Sequence, residues 1–306
     1  MRGIAILLVI FGHAQRGIFQ AAQPEGLYWS HIYPALDYFI YVFHVPVFFA
    51  TSGILLERQA RNSFRDFRSR ETRIIGLYLL WNFINAVPAF VFSDLINRNF
   101  GKSGWIVAFN PLQISGIMWF FVALGAGYLA HFLTTNSKSI RWLLIIVAIL
   151  LLAFDRDFHG VAYGTLWLLV GAEAERLLHL EKLKPNAWHA IAVLAIYLVA
   201  TTVSYWLNVP YTAAIVACAG ALVFLVLLGE LISVPFFISY LGKNTLALYV
   251  MHVIALGGTR ILLMKFVGLS ASMGLLVLLT IIGIVVPLAV LILLRRIGAS
   301  RFLLLD

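Results

Sequence analysis

Arg2 and His13 are the residues best placed to do chemistry. One is a guanidinium that keeps its charge, the other an imidazole that titrates near neutrality, and they lie eleven residues apart in one apolar run. In a helix this spacing puts both on one face, about 16 Å apart along the axis. Such groups are costly in a membrane unless they line a polar cavity, so the pair is a functional candidate. The plainer alternative is that Arg2 snorkels to the membrane edge and His13 packs with its hydrogen bonds satisfied.

Three further places carry polar chemistry. Arg70 and Arg73 stand three apart at the start of a helical segment, on one face. Paired guanidiniums at a membrane boundary suit a phosphorylated ligand, and equally suit anchoring on anionic lipid. His44 opens the run Phe43-His44-Val45-Pro46-Val47-Phe48-Phe49, which closes on Ser52-Gly53. Pro46 breaks an interior helical hydrogen bond, so His44 either positions a ligand or caps the carbonyls freed there, while Ser52-Gly53 permits close backbone approach. Tyr249 and His252 fall on one face behind a helix cap at Asn244 or Thr245, with Arg260 two turns on. That stripe faces a bundle interior, as helix-to-helix glue or as part of a cavity.

The elements that must position these groups are membrane spans. The 306-residue chain is 62% hydrophobic and 11% charged, the composition of an integral membrane protein. Apolar segments fall at about 2–20, 37–56, 74–95, 117–134, 140–154, 161–178, 188–207, 211–231, 245–267 and 272–294. This predicts an all-α, polytopic bundle of about ten transmembrane helices in a single domain, 1–306. The segment 140–154 is short for a full crossing. With the N-terminus inside, fifteen Lys and Arg fall on the inner side, among them Arg58, Arg141, Arg176 and Arg295. Four (Arg16, Arg98, Lys102 and Arg156) fall outside, and Arg2, Arg260 and Lys265 lie within spans. The bias supports both termini being cytoplasmic. Glu173, Glu175 and Glu230 sit near inner ends of spans, where solvated helix ends account for them.

Several attractive matches fail. The net charge of +9 is loop charge flanking apolar spans, not a nucleic-acid surface. Gly101-Lys102-Ser103 imitates the end of a phosphate-binding loop, but Ile96 stands where the upstream glycine is required. The eight histidines form no His-Glu-x-x-His and no cluster with metal-ligand spacing, so no metal is expected. The single cysteine, Cys218, excludes an intrachain disulfide. Gly160 and Gly164 read as ordinary helix packing, and Asp155 and Asp157 as a solvated outer turn.

Taken in order, the pieces resemble one family, the membrane acyltransferases of type 3, in the branch likened to fucose 4-O-acetylases. They are Arg2-Gly3 with His13, the Phe-His-x-Pro-x-Phe-Phe run to Ser52-Gly53, and Arg70-x-x-Arg73. The aromatic Met118-Trp119-Phe120-Phe121 and Leu-Gly-Lys-Asn-Thr leading to Tyr249 and His252 complete the set. The resemblance implies a ten-helix bundle in the bacterial cytoplasmic membrane. It also implies transfer of an acyl group, by default acetyl, from cytoplasmic acyl-CoA to a sugar hydroxyl of a surface glycan or lipid-linked precursor. No cofactor is bound; acyl-CoA is a co-substrate. Members usually carry an Asp three residues before the Arg-Gly. Here Met1 directly precedes Arg2, so either the chain starts late or this member lacks the element.

On that reading His13 is the catalytic base and Arg2, Arg70 and Arg73 bind the donor's phosphates, with His44, Tyr249 and His252 as candidates for oxyanion or acceptor contacts. A covalent acyl-histidine or acyl-Ser52 route is less economical. The rival is a membrane transporter or glycan flippase, which would line a tunnel with polar groups but needs no base and phosphate clamp at this spacing. A membrane sensor or scaffold is disfavoured, since no segment is long enough for a soluble output domain.

Overall fold

A computed structural model describes residues 1–59, 63–92, 116–154, 159–182, 184–210 and 212–305. Among them the regular structure is helical throughout. The helices are α1 (Arg2–Ala22), α2 (Tyr33–Tyr41), α3 (His44–Arg58), α4 (Phe64–Val91), α5 (Trp119–Thr134) and α6 (Lys138–Phe154). They continue as α7 (His159–Leu178), α8 (Ala187–Trp206), α9 (Ile215–Leu231), α10 (Phe236–Lys243), α11 (Thr245–Ile261) and α12 (Met273–Arg296). Six helical stretches among the described residues are long and apolar enough to cross a membrane: Arg2–Ala22, Tyr28–Arg58, Gly116–Thr134, Ala187–Trp206, Thr245–Phe266 and Met273–Arg296. The expected segments near 74–95, 140–154, 161–178 and 211–231 are helical as α4, α6, α7 and α9. Gly101-Lys102-Ser103 and the Asp155/Asp157 turn lie outside the described residues.

The helices cluster into two compact units. The first gathers Met1–Ala5, Tyr38–Ile75 and Trp119–Ser239. Its centre is the crossing of α3 and α7, where main chain meets main chain. A Cβ on Gly53 would stand 1.9 Å from the Leu168 carbonyl oxygen, and one on Gly171 would stand 2.2 Å from that of Ala50. Only glycine admits this approach, as the Ser52-Gly53 pair suggests. Pro46 plays a different part from the one its position implies. The chain turns at Val42–Phe43 and α3 starts afresh at His44, so Pro46 lies in a first turn, where a missing N–H costs the helix nothing. The Val42 carbonyl, four residues back, accepts the Tyr163 hydroxyl at 3.2 Å.

The acidic residues at the ends of α7 are not solvated. Glu173 and Glu175 are 3% and 6% exposed and ion-paired, whereas Glu230 is exposed as expected. Arg141 of α6, equally buried, donates to Glu173 of α7 at 2.9 Å and to Glu57 of α3 at 3.1 Å. Glu57 also meets His131 of α5 at 3.1 Å. Arg176 closes on Glu173, and Arg58 on Glu175 at 3.0 Å. Helices α3, α6 and α7 are thus tied by alternating charges, and His131 joins α5 to them through Glu57. With so little water present, each ion is tolerable only because the others are there.

The second unit gathers Ile6–Asp37, Gly76–Met118 and Tyr240–Asp306. Here α1 and α11 pack over α12. A Cβ on Gly283 of α12 would meet Ile10 at 2.7 Å and Leu256 at 2.8 Å. Those two residues lie one turn from His13 and His252, so Gly283 is the notch that lets the histidine-bearing helices close. Gly283→Val is expected to destabilise the chain by about 1–3 kcal/mol through overpacking. Thermal unfolding in detergent reads this directly, and an unchanged melting temperature would show the notch to be slack. Ser272 caps α12 by accepting the Leu275 N–H at 3.2 Å. Asn244 precedes α11, yet its side chain does not cap it. Its amide donates to the Tyr240 carbonyl at 2.9 Å and its oxygen accepts from Arg295 at 3.0 Å, bracing α10 against α12.

Candidate active site

In the first unit Arg2 belongs to a cluster of charge. Gly3 makes its placement possible: a Cβ there would lie 2.0 Å from the Ile238 carbonyl oxygen, so the start of α1 rests directly on the backbone of α10. Half-buried Arg2 interacts with Tyr128 of α5. The Tyr128 hydroxyl meets Ser52 and lies within the electrostatic reach of Arg2, Arg70 and Glu71. Arg70 is half-buried and donates to Gln59, while Arg73 on the same helix is exposed. Sequence spacing treats the two arginines alike; α4 gives them different surroundings. Glu71 was not singled out from the sequence. It faces Gly125 of α5, and its Oε1 is buried with no hydrogen-bond partner among the described residues. Burial raises its carboxyl above the usual carboxylate range.

In the second unit His13 of α1 lies against His252 of α11, with ring centroids 5.1 Å apart and planes inclined by 59°. His13 is half-buried and His252 is 0% exposed. The Nδ1 of His252 lies 2.7 Å from the Tyr249 carbonyl and 3.1 Å from that of Leu248. Tyr249 is fixed in turn, since its hydroxyl donates to the Ile117 carbonyl at 2.6 Å. Asn85 of α4 reaches the Val250 carbonyl at 3.3 Å. The stripe Tyr249, His252 and Arg260 is buried along its length, and Arg260 lies beside Gly17 of α1.

His44 stays in the first unit, buried, with its Nδ1 2.8 Å from the Ile40 carbonyl and its ring edge-on to Tyr41. The three candidates for an oxyanion contact therefore have something in common. Tyr249, His44 and His252 each already donate a hydrogen to a backbone carbonyl.

Two arrangements were not foreseen from the sequence. One is the charge network of α3, α6 and α7, with His131 of α5 hydrogen-bonded to it. The other lies beyond His13 on α1: Arg16, read as an outer-loop charge, is within the helix and grips Asp37 of α2 at 2.8 and 2.6 Å. Gln15, fully buried, donates to the same carboxylate at 3.2 Å and accepts from Tyr28 at 3.0 Å. The signal for both was an ionisable or amide residue inside an apolar stretch. Among the described residues no three His, Cys, Asp or Glu side chains gather as a metal site would require.

Comparison with known proteins gives one family. A family model described as an acyltransferase domain matches residues 1–295. No curated protein matches the chain, and no solved structure does.

Proposed function

The chain belongs to that acyltransferase family, and from this premise we propose that it moves an acetyl group from cytoplasmic acyl-CoA to a sugar hydroxyl of a surface glycan or its lipid-linked precursor. The protein is then a bundle of ten helices in a bacterial cytoplasmic membrane, with both termini in the cytoplasm. The observation that carries this reading is the pair of environments along α1. Its first turn holds Arg2 among Arg70, Tyr128 and Ser52. Eleven residues on, His13 lies against His252. The first is a place for phosphate oxygens, the second for a proton.

His13 takes the proton of the sugar hydroxyl, whose oxygen attacks the thioester carbonyl carbon. The carbon–sulfur bond breaks, and the CoA thiolate recovers the proton as it leaves. Arg2, Arg70 and Arg73 bind the donor's phosphates through charge-assisted hydrogen bonds, and Arg70 and Arg2 carry most of this because they are half-buried where Arg73 is exposed.

The test uses membranes bearing this chain, radiolabelled acetyl-CoA and host glycan. Label arriving on the glycan, with CoA released in proportion, supports the reading. CoA release with no label on any saccharide would overturn the choice of acceptor. In the same assay Arg70→Ala is expected to raise KM for acetyl-CoA about tenfold to a hundredfold with kcat little changed, the loss of a charged contact made equally in ground and transition states. A fall in kcat at unchanged KM would remove Arg70 from donor binding.

A further inference from the structure

His252 is held in one tautomer. Carbonyl oxygens only accept, so the ring nitrogen lying between those of Tyr249 and Leu248 must carry the hydrogen. Nε2 is then a bare lone pair, and it is buried with no hydrogen-bond partner among the described residues. An acceptor left unmatched in an apolar bundle is costly, and such exceptions call for an explanation. The surroundings show that the ring is not there by slackness. Tyr249, whose carbonyl helps orient it, is itself pinned to Ile117, and Gly283 brings the helix against α1. What stands next to the ring is His13.

We propose that His252 is the positioning residue of His13: its Nε2 accepts an N–H of His13 once that ring has taken the proton of the acceptor hydroxyl. Neutral His13 has one N–H. The imidazolium has two: the one just gained points at the reacting atoms, and the other turns to the bare Nε2 of His252, the ring beside it. His252 does this without adding a second charge to the bundle, playing with a neutral ring the part a carboxylate plays in a Ser-His-Asp triad. The proposal rests on the acyl-transfer reading, and its balance is simple. The O–H bond breaks as the C–O bond to the acyl carbon forms, the C–S bond breaks with its electron pair on sulfur, and the proton passes from His13 to that sulfur. His252 holds the intermediate charge state and ends unchanged.

Two variants separate this role from packing. His252→Phe keeps a ring of similar size and removes the lone pair; His252→Gln puts an amide oxygen within reach of the same place. With both chains folded by size-exclusion profile, His252→Phe is expected to lose about 100-fold in kcat at unchanged KM for acetyl-CoA, and His252→Gln to stay within about tenfold of native. Transfer by His252→Phe at the native rate would overturn the proposal, and so would equal losses in both variants. A native chain that moves no label and releases no CoA would overturn the acyl-transfer reading and the role of His252 in it. That outcome is distinct, because failure of the positioning role alone leaves the native chain active. A second measurement needs no activity. In ¹⁵N-histidine-labelled protein in detergent, His252 is expected as the Nδ1–H tautomer with Nε2 unprotonated, and an Nε2–H tautomer would overturn the proposal.

Discussion

His13→Ala is expected to lower acyl transfer about 10²–10⁴-fold at saturating acetyl-CoA, the range over which a positioned general base contributes. A sugar hydroxyl is a poor nucleophile while it keeps its proton. His13 is half-buried on the helix that also bears Arg2, and its ring lies against that of a second histidine. Donor affinity is expected to stay close to native, because the arginines of the first unit are untouched. The check is a comparison of initial rates and of acetyl-CoA binding in membranes holding equal amounts of native and variant chain. A variant that keeps more than a tenth of the native rate would take the base assignment away from His13. The same result also bears on the transporter alternative, since a flippase has no need of a base.

The second large effect is on stability. Arg141→Met is expected to destabilise the fold by about 3–5 kcal/mol, the usual consequence of removing one member of a buried ion pair. Glu173, with its side chain 4% exposed, would lose its 2.9 Å partner and keep, among the described residues, Arg176. Glu57, one-fifth exposed, would keep His131. Adding Glu173→Gln to Arg141→Met removes the stranded charge and is expected to recover part of the loss. Thermal unfolding of the four chains in detergent forms a double-mutant cycle. Additive effects of the two changes would show that the ions act independently.

The sequence revealed what the membrane demands and missed what the helices do to one another. The helical segments were visible because lipid requires long apolar runs, whatever lies beside them. Arg2 and His13 were visible because both lie on one helix, where spacing alone fixes which face they share. Arg16 was misread as loop charge because its partner Asp37 is on another helix, and nothing local distinguishes a snorkelling arginine from a paired one. Glu173 was assigned to solvent for the same reason, with Arg141 thirty-two residues away. Asn244 has the chemistry of a cap, but its oxygen went to Arg295 of α12. His252 was found through its neighbours in sequence; that it lies against His13 is a fact of packing between α1 and α11.

The meeting of α3 and α7 has a consequence for how this chain can vary over generations. Most tight spots in a protein interior are negotiable, since a bulkier residue on one side is offset by a trimmed one opposite. At Gly53 and Gly171 the opposing atoms are the carbonyls of Leu168 and Ala50, which belong to the main chain and are the same whatever residue stands there. No second substitution at 168 or 50 makes room. The two glycines are therefore closed to gradual exchange, and a lineage could lose either one only by rebuilding the helix crossing around it.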